Sequence, residues 1–401
     1  MSLPADDVMT PAERRAGVGL SAIYALRMLG LFLILPVFSI HAATLPGGHD
    51  LALVGFALGA FGLTQAFLQI PFGMASDRIG RKPIIVFGLV VFAIGCVMAA
   101  LAENLLVLAI ARVVQGAGAI SAAVTALAAD LTREQHRTKV MAMIGSSIAI
   151  AFAFSLVAAP GLYGAIGMDG IFWLTGGLSV AAIVLVLKGI PPEPKLDHPV
   201  RRTRFVDVLR HPQLLRLNFG VLALHAMQTA LWVVVPANLQ NNGLIAAEHW
   251  KVYLPAALLS FAFMVPAIIL AEKRGKMKHM LMLAAVLLFL VQVGLGALGE
   301  SGFSVWWLGA WLMLFFVGFN VLEATLPSLI SRVAPPDVKG AAMGLYNTVQ
   351  SIGLFAGGAL GGLLAKFGGP PALHAACAAL ALAWIGVVAL MTIPAARRVA
   401  A

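Results

Sequence analysis

The chain has 401 residues, 61% of them hydrophobic and only 11% charged, with a formal net charge of +10. A mean hydropathy of +0.95 excludes a water-soluble globular protein, whose helices would keep a polar face. A β-barrel is excluded too, because the apolar residues come in long runs rather than short alternating segments. Runs of about 20 apolar residues cross roughly 30 Å of hydrocarbon at about 1.5 Å per residue, so the fold class is an all-α membrane protein.

Thr10-Pro11-Ala12-Glu13 opens the first helix: Thr10 caps, Pro11 suits the first turn, and Glu13 reaches back to the cap. The apolar run behind it is too long for a removable signal and carries Arg27 in its interior. Spans 1 to 6 are expected at 17–40, 51–73, 83–101, 104–129, 139–164 and 169–189. A polar stretch follows at 190–213, where Pro191, Pro192, Pro194 and Pro199 stop helix; within it RFVDVLRHPQLL is expected as a short surface helix. Spans 7 to 12 are expected at 214–240, 251–271, 279–298, 304–331, 340–365 and 371–393. The expected organisation is 12 transmembrane helices as two six-helix bundles, 1–190 and 214–401, joined by a cytoplasmic linker at 191–213.

With the N-terminus inside, 23 of the 27 Lys and Arg residues fall in or beside cytoplasmic segments. Lys251 and Lys366 lie outside, and Arg27 and Arg112 lie within spans. The positive-inside rule therefore puts both termini in the cytoplasm. The basic excess reads as topology and contact with anionic lipid, with no nucleic-acid partner. Cys96 and Cys377 each sit inside a span and read as packing residues. No disulfide, metal site or cofactor is expected.

Between spans 2 and 3 runs DRIGRKP, residues 77–83, with four charges in seven residues. Gly80 permits a tight turn, Pro83 suits the opening of a helix, and Arg78, Arg81 and Lys82 hold the turn in the cytoplasm. Asp77 is the anomaly, since an acid is disfavoured at the C-terminal end of its helix and calls for an outside partner. A shift of 195 residues aligns Pro71, Asp77, Arg78, Gly80 and Arg81 with Pro266, Glu272, Lys273, Gly275 and Lys276. A shift of 200 aligns Lys139, Ala142 and Met143 with Lys339, Ala342 and Met343. The two matches fall at equivalent places of a six-plus-six layout, which points to parallel repeats with a substrate site at their interface.

GMASDRIGRKP, from Gly73, closely resembles the loop motif of the major facilitator superfamily, and ARVVQGAGAI, with Arg112, Gln115, Gly116 and Gly118, resembles the span-4 motif of its proton-coupled drug antiporters. LRMLG, DLTREQHRTKVMA and AAMGLY resemble the YajR-type efflux branch. Some members of that branch carry a soluble C-terminal domain, whose role is expected to be missing from a chain that stops at Ala401. The resemblance implies a monomeric, multi-pass protein of the bacterial inner membrane that moves a small-molecule substrate and protons among membrane lipids. It implies a latch in which Asp77 meets the start of span 11 near Gly340 when the cytoplasmic side closes, while Arg81 bridges to Asp130. It also implies a cavity lined by spans 1, 4, 7 and 10. The span-5 signature departs from the family's pattern, reading Ala159-Pro160-Gly161-Leu162.

Four ionisable residues stand well inside spans: Arg27, Arg112, His225 and Glu323. Gln65, Gln115, Asn320 and Gln350 add hydrogen-bonding groups. These are the cavity candidates, and an Arg27–Glu323 pair would cancel charge. Glu323, the one carboxylate deep in a span, is the first candidate for the coupling proton; His225 is second and Arg112 tunes the charge nearby. The expected function is proton-driven export of small amphipathic compounds by alternating access, with uptake by proton symport as the alternative. A polytopic enzyme is disfavoured, because the sequence holds no H-E-x-x-H, Walker or Cys–His constellation. In a chain without Cys96 and Cys377, a single cysteine at Ser76 or Thr203 is expected to resist an impermeant thiol reagent in intact cells; ready labelling from outside would overturn the orientation.

Overall fold

A computed structural model describes residues 8–193, 208–298, 304–335 and 338–392. Among these residues every regular element is helical, and ten helices are long and apolar enough to cross a membrane. They are α1 (Pro11–Thr44), α2 (Leu51–Ile79), α3 (Arg81–Ala100), α4 (Leu105–Asp130), α5 (Glu134–Gly189), α6 (Pro212–Asn241), α7 (Ala246–Lys273), α8 (Met277–Leu298), α9 (Val305–Val333) and α10 (Lys339–Ala389). The surface helix expected around 204–215 lies partly outside the described residues, as do Lys195, Arg201, Arg202 and Arg204 of the linker.

The sequence-expected ends hold where capping chemistry supplies them. Thr10 accepts from the Glu13 amide while the Glu13 carboxylate accepts from the Thr10 amide, a complete capping box. Asp50 caps α2 through the Ala52 and Leu53 amides, and Asn104 caps α4 through Val107. Two of the ten helices are far too long for a single crossing: α5 has 56 residues and α10 has 51. Each is interrupted by one glycine in the left-handed region, Gly167 at φ 67° and Gly369 at φ 69°, which only glycine adopts without strain. After Gly369 the chain doubles back. A Cβ placed on Gly361 would lie 3.5 Å from the Leu373 side chain, whereas twelve residues of unbroken helix would hold these positions about 18 Å apart.

Packing is uneven along the length of the helices. Near the 77–83 turn, the first 190 residues keep a hydrophobic cluster of their own, including Leu20, Ile85, Leu89, Leu127, Val140 and Val186. Towards the opposite side, residues such as Phe38, Leu58, Leu108 and Phe172 merge into one core with α6 to α10. The two parts of the chain therefore meet on the side away from the turn.

That meeting is made by glycines. A Cβ on Gly55 would lie 2.2 Å from the Gly358 carbonyl, one on Gly62 2.5 Å from the Ser351 carbonyl, and one on Gly362 2.4 Å from the Leu51 carbonyl. Helices α2 and α10 thus touch backbone to backbone, the contact that small residues permit in lipid. A second glycine face of α10 meets α6, where a Cβ on Gly357 would lie 2.1 Å from the Ala226 carbonyl. The same seam ends in an exposed ion pair, Lys366 Nζ to Asp50 Oδ2 at 2.9 Å. Hydrogen bonding from Lys366, with the capping amides, holds the Asp50 carboxyl below its ordinary value. The depressed value means that this contribution is present above the ordinary aspartate range and is lost as pH falls through the lowered one.

Ser76 is fully buried, and Thr203 lies outside the described residues. Exposed Arg78 and Lys273 are therefore the better cysteine positions for one side of the membrane, and exposed His49 for the other. Gly358→Ile is expected to force the seam open, at a cost of about 1–3 kcal/mol, and to lengthen the 50–366 distance between spin labels. Gly177→Ala, at a glycine with open space around it, is expected to change neither thermal stability nor distance. An unchanged distance in Gly358→Ile would show that the seam does not hold this side together.

Candidate functional site

The first candidate site is the turn between α2 and α3. Gly80 has φ 116°, so it reverses the chain at the end of α2 and leaves the first turn of α3 without a side-chain cap of its own. Glu193 fills that role from across the fold: its carboxylate accepts from the Arg81 amide at 2.9 Å and from the Lys82 amide. Lys82 Nζ donates to the Ile190 carbonyl at 2.8 Å, and Arg15 donates to the Gly189 and Lys188 carbonyls at 2.8 and 3.0 Å. Arg81 is the hub. Its Nε meets Asp130 Oδ2 at 3.0 Å, and its Nη1 donates to Ser76 Oγ at 2.8 Å and to Asp77. Arg78 is exposed. Gly73 lets α2 pass α4, since a Cβ there would come within 3.3 Å of the Ala122 Cβ.

The expected contact between Asp77 and Gly340 is not made in this form. A Cβ on Gly340 would meet no heavy atom within 4 Å, and the Asp77 carboxylate turns instead to Arg81, one turn along the chain. The reason is the uneven packing: α2 and α10 are pinned together at the far end and free of one another here. Glu193 escapes a reading of the sequence because it looks like one more charge of a linker. The signal that could have found it is the uncapped helix start after a glycine.

The second cluster lies deep in the later half. His225 Nε2 stands 3.2 Å from Glu323 Oε2 and 2.7 Å from Gln350 Nε2, while Nδ1 is 2.8 Å from the Val221 carbonyl. A carbonyl only accepts, so Nδ1 carries a hydrogen. The opposite nitrogen then faces a carboxyl and an amide. With the imidazole neutral, Nε2 accepts, and Glu323 approaches it favourably only as the acid. With Nε2 protonated, it donates to the carboxylate, and Gln350 offers its oxygen instead. One proton satisfies the contact in either place. Asn320 Nδ2 donates to Ser260 Oγ at 2.9 Å, which places it between α9 and α7. The Phe319 ring packs on His225 at 6.1 Å and on Phe152 of α5 at 5.8 Å, linking this cluster to the earlier half.

The third cluster lies in the earlier half. Helix α4 is unwound at 118–120, and α1 braces the break on both sides: Arg27 Nη2 donates to the Gly118 carbonyl at 3.1 Å, and the Tyr24 hydroxyl to the carbonyl of Ser121, where the helix resumes, at 3.1 Å. Arg112 Nη1 donates to Gln115 Oε1 at 2.7 Å, and Gln115 Nε2 points to Cys96 Sγ at 3.3 Å. Both guanidinium groups lie by the Phe61 ring, Arg27 at 5.8 Å and Arg112 at 5.2 Å from its centre. Gln65 is buried one turn further along α2. Gly116 permits this approach, because a Cβ there would lie 2.1 Å from the Phe61 carbonyl.

The anticipated Arg27–Glu323 pair does not form. Glu323 is committed to His225 on its own side of the fold, and Arg27 to a backbone carbonyl on the other. A charge at the bilayer centre costs about 2.5–3.5 kcal/mol on insertion scales. A cation–π contact returns only about 0.5–2 kcal/mol, so the ring offsets part of each cost.

Residues 20–358 match the sequence model of the Major Facilitator Superfamily. The chain belongs to the major facilitator superfamily. This facilitator is 44% identical over 395 residues to the inner membrane transport protein YajR of Escherichia coli (strain K12), across 97% of this chain and 86% of that one. It is 28% identical to the multidrug resistance protein MdtH of Aeromonas salmonicida (strain A449), across 96% and 94% of the two chains. Its fold is shared with the nucleoside transporter NupG, with TM-score 0.71 at 13% identity over 94% of this chain and 99% of that one. The human organic anion transporter MFSD10 has TM-score 0.70 at 18% identity over 94% and 100%. The protein is a transporter and not an enzyme, and it is a multi-pass protein of the inner membrane.

Asp77→Asn is expected to cut transport with normal insertion and to lower the population of the form open to the outside, read from spin-label distances between the halves. Glu193→Gln, which weakens only the borrowed cap, is expected to cost about 0.5–2 kcal/mol of stability without shifting those distances. Full transport and unchanged distances in Asp77→Asn would leave Asp77 as an ordinary turn residue.

Proposed function

We propose that this transporter exports small amphipathic compounds in exchange for protons by alternating access. It does so with 12 crossings arranged as two six-helix bundles, 1–190 and 214–401, a cytoplasmic linker and both termini in the cytoplasm. The count of 12 takes α5 and α10 as hairpins, each turned at its left-handed glycine. The charge distribution supports the orientation. On this reading the form described is open to the cytoplasm: Gly340 stands clear, while the glycine seam and the Asp50–Lys366 pair close the outer side.

The observation that carries the coupling is the contact of His225 with Glu323 at 3.2 Å. The two residues form one proton site rather than two alternatives, because a single proton satisfies the geometry from either side. A loaded and an unloaded site differ in charge, so each biases the two-state equilibrium of the halves differently. Export is supported by the likeness to multidrug resistance proteins. Uptake by symport is the second reading, favoured by the departure at Ala159 and Leu162 from the efflux signature.

Glu323→Gln is expected to keep substrate exchange and downhill flux in proteoliposomes while losing accumulation driven by a pH gradient; His225→Gln is expected to show a milder loss. Accumulation by Glu323→Gln at the wild-type level would remove Glu323 as the proton carrier.

A further inference from the structure

The coupling site leaves two buried charges unused. Arg27 and Arg112 are each only 1% exposed. Among the described residues neither is ion-paired: the acids nearest in role are spent elsewhere, Glu323 on His225, and Asp77 and Asp130 on Arg81. Among the described residues Arg27 Nε and Nη1 and Arg112 Nε find no hydrogen-bond partner. Each guanidinium has made one neutral contact, to the Gly118 carbonyl or the Gln115 amide oxygen, and keeps further N–H groups for something else. Both flank one aromatic ring, Phe61. Phe32 packs on the cluster that holds Phe61 and edge-on to Phe152, whose ring meets Phe316 and Phe319 of α9, so the pair lies close to the interface of the halves.

We propose that Arg27 and Arg112 form an anion seat, taking the carboxylate, or a comparable monoanionic group, of a small amphipathic substrate whose apolar body lies along Phe61. Guanidinium N–H groups are matched to such oxygens in shape as well as charge. An acidic side chain in the same place would neutralise the pair permanently; a ligand neutralises it only when bound. Gln115 is a positioning residue, since its amide oxygen holds Arg112 while its nitrogen is anchored on Cys96. Gln65 supplies a further donor on the same helix as the ring. Phe61 covers both guanidinium groups in the form described, and the ligand would share that cover. The proposal rests on the transporter having its substrate site between the halves, but not on proton coupling or direction.

The test uses the full-length protein in phosphatidylcholine nanodiscs and three probes that share one ring system: 1-naphthoate, 1-naphthamide and 1-naphthylmethylammonium. Equilibrium binding by wild type is expected to favour the anion over the other two by about 10- to 100-fold, the range for a charge-assisted hydrogen bond. Arg27→Gln and Arg112→Gln should each lose most of that preference, and Arg112→Lys should recover part of it. Arg210→Gln, an exposed cation far from the seat, should leave it intact and so rule out general attraction to a basic protein. Adding phosphatidylglycerol should not displace naphthoate; displacement would assign the seat to a lipid headgroup and overturn the substrate reading. Equal binding of the three probes by wild type, including no binding of any, overturns the proposal without recourse to a variant that fails to fold. If the anion preference stands while gradient-driven accumulation fails in wild type, the proton reading falls and the seat remains.

Discussion

The close approach of α2 and α10 is the constraint on which the rest depends. In lipid there is no hydrophobic gain in pressing one apolar helix on another, so association rests on dispersion at short range and on polar contacts. Gly55, Gly62, Gly358 and Gly362 bring two backbones to a distance that a methyl group would forbid. Because α10 also presents Gly357 to α6, one helix is clamped on two faces. This fixes which side of the molecule is shut. Everything on the other side, including the pairing of Asp77 with Arg81, follows from the helices diverging away from that seam.

Polar groups are rationed accordingly. At the shut end the Asp50–Lys366 pair is exposed and weak, a contact cheap to make and to break. At the divergent end Arg81 gathers Ser76, Asp77 and Asp130 within the earlier half alone. In between, the two halves carry charge of different kinds. The later half holds an acid and an imidazole in contact; the earlier half holds two guanidinium groups that keep their charge. On the proposed coupling the first changes its charge during a cycle, and the second can only change its company.

Much of the fold was legible in the sequence because each signal was local. Apolar runs, the Thr10–Glu13 cap and the Asp77–Lys82 turn all declare themselves within a few residues, and the motif around Arg112 names its own glycines. What was not legible joins residues far apart. Glu193 caps a helix more than a hundred residues earlier, and Lys366 meets an acid near the other end of the chain. The Lys366 pairing has no signature beyond opposite charge, and the Glu193 cap none beyond an uncapped helix start. Opposite charge alone also misled: it paired Arg27 with Glu323, whereas packing gave the carboxylate to His225 and the guanidinium to an unwound carbonyl. His225 and Glu323 each stood out as polar residues in apolar runs, but only the structure puts them in one contact.

The position of Glu193 changes what the connection between the halves can transmit. Its carboxylate is tied to the amides of Arg81 and Lys82, and the residues just before it are tied by Lys82 and Arg15. The described chain thus reaches Glu193 already anchored on the first turn of α3. A pull on Glu193 would fall on the same few peptide groups that position Arg81. A molecule that took hold of the chain at Glu193 would therefore have a mechanical handle on the turn itself.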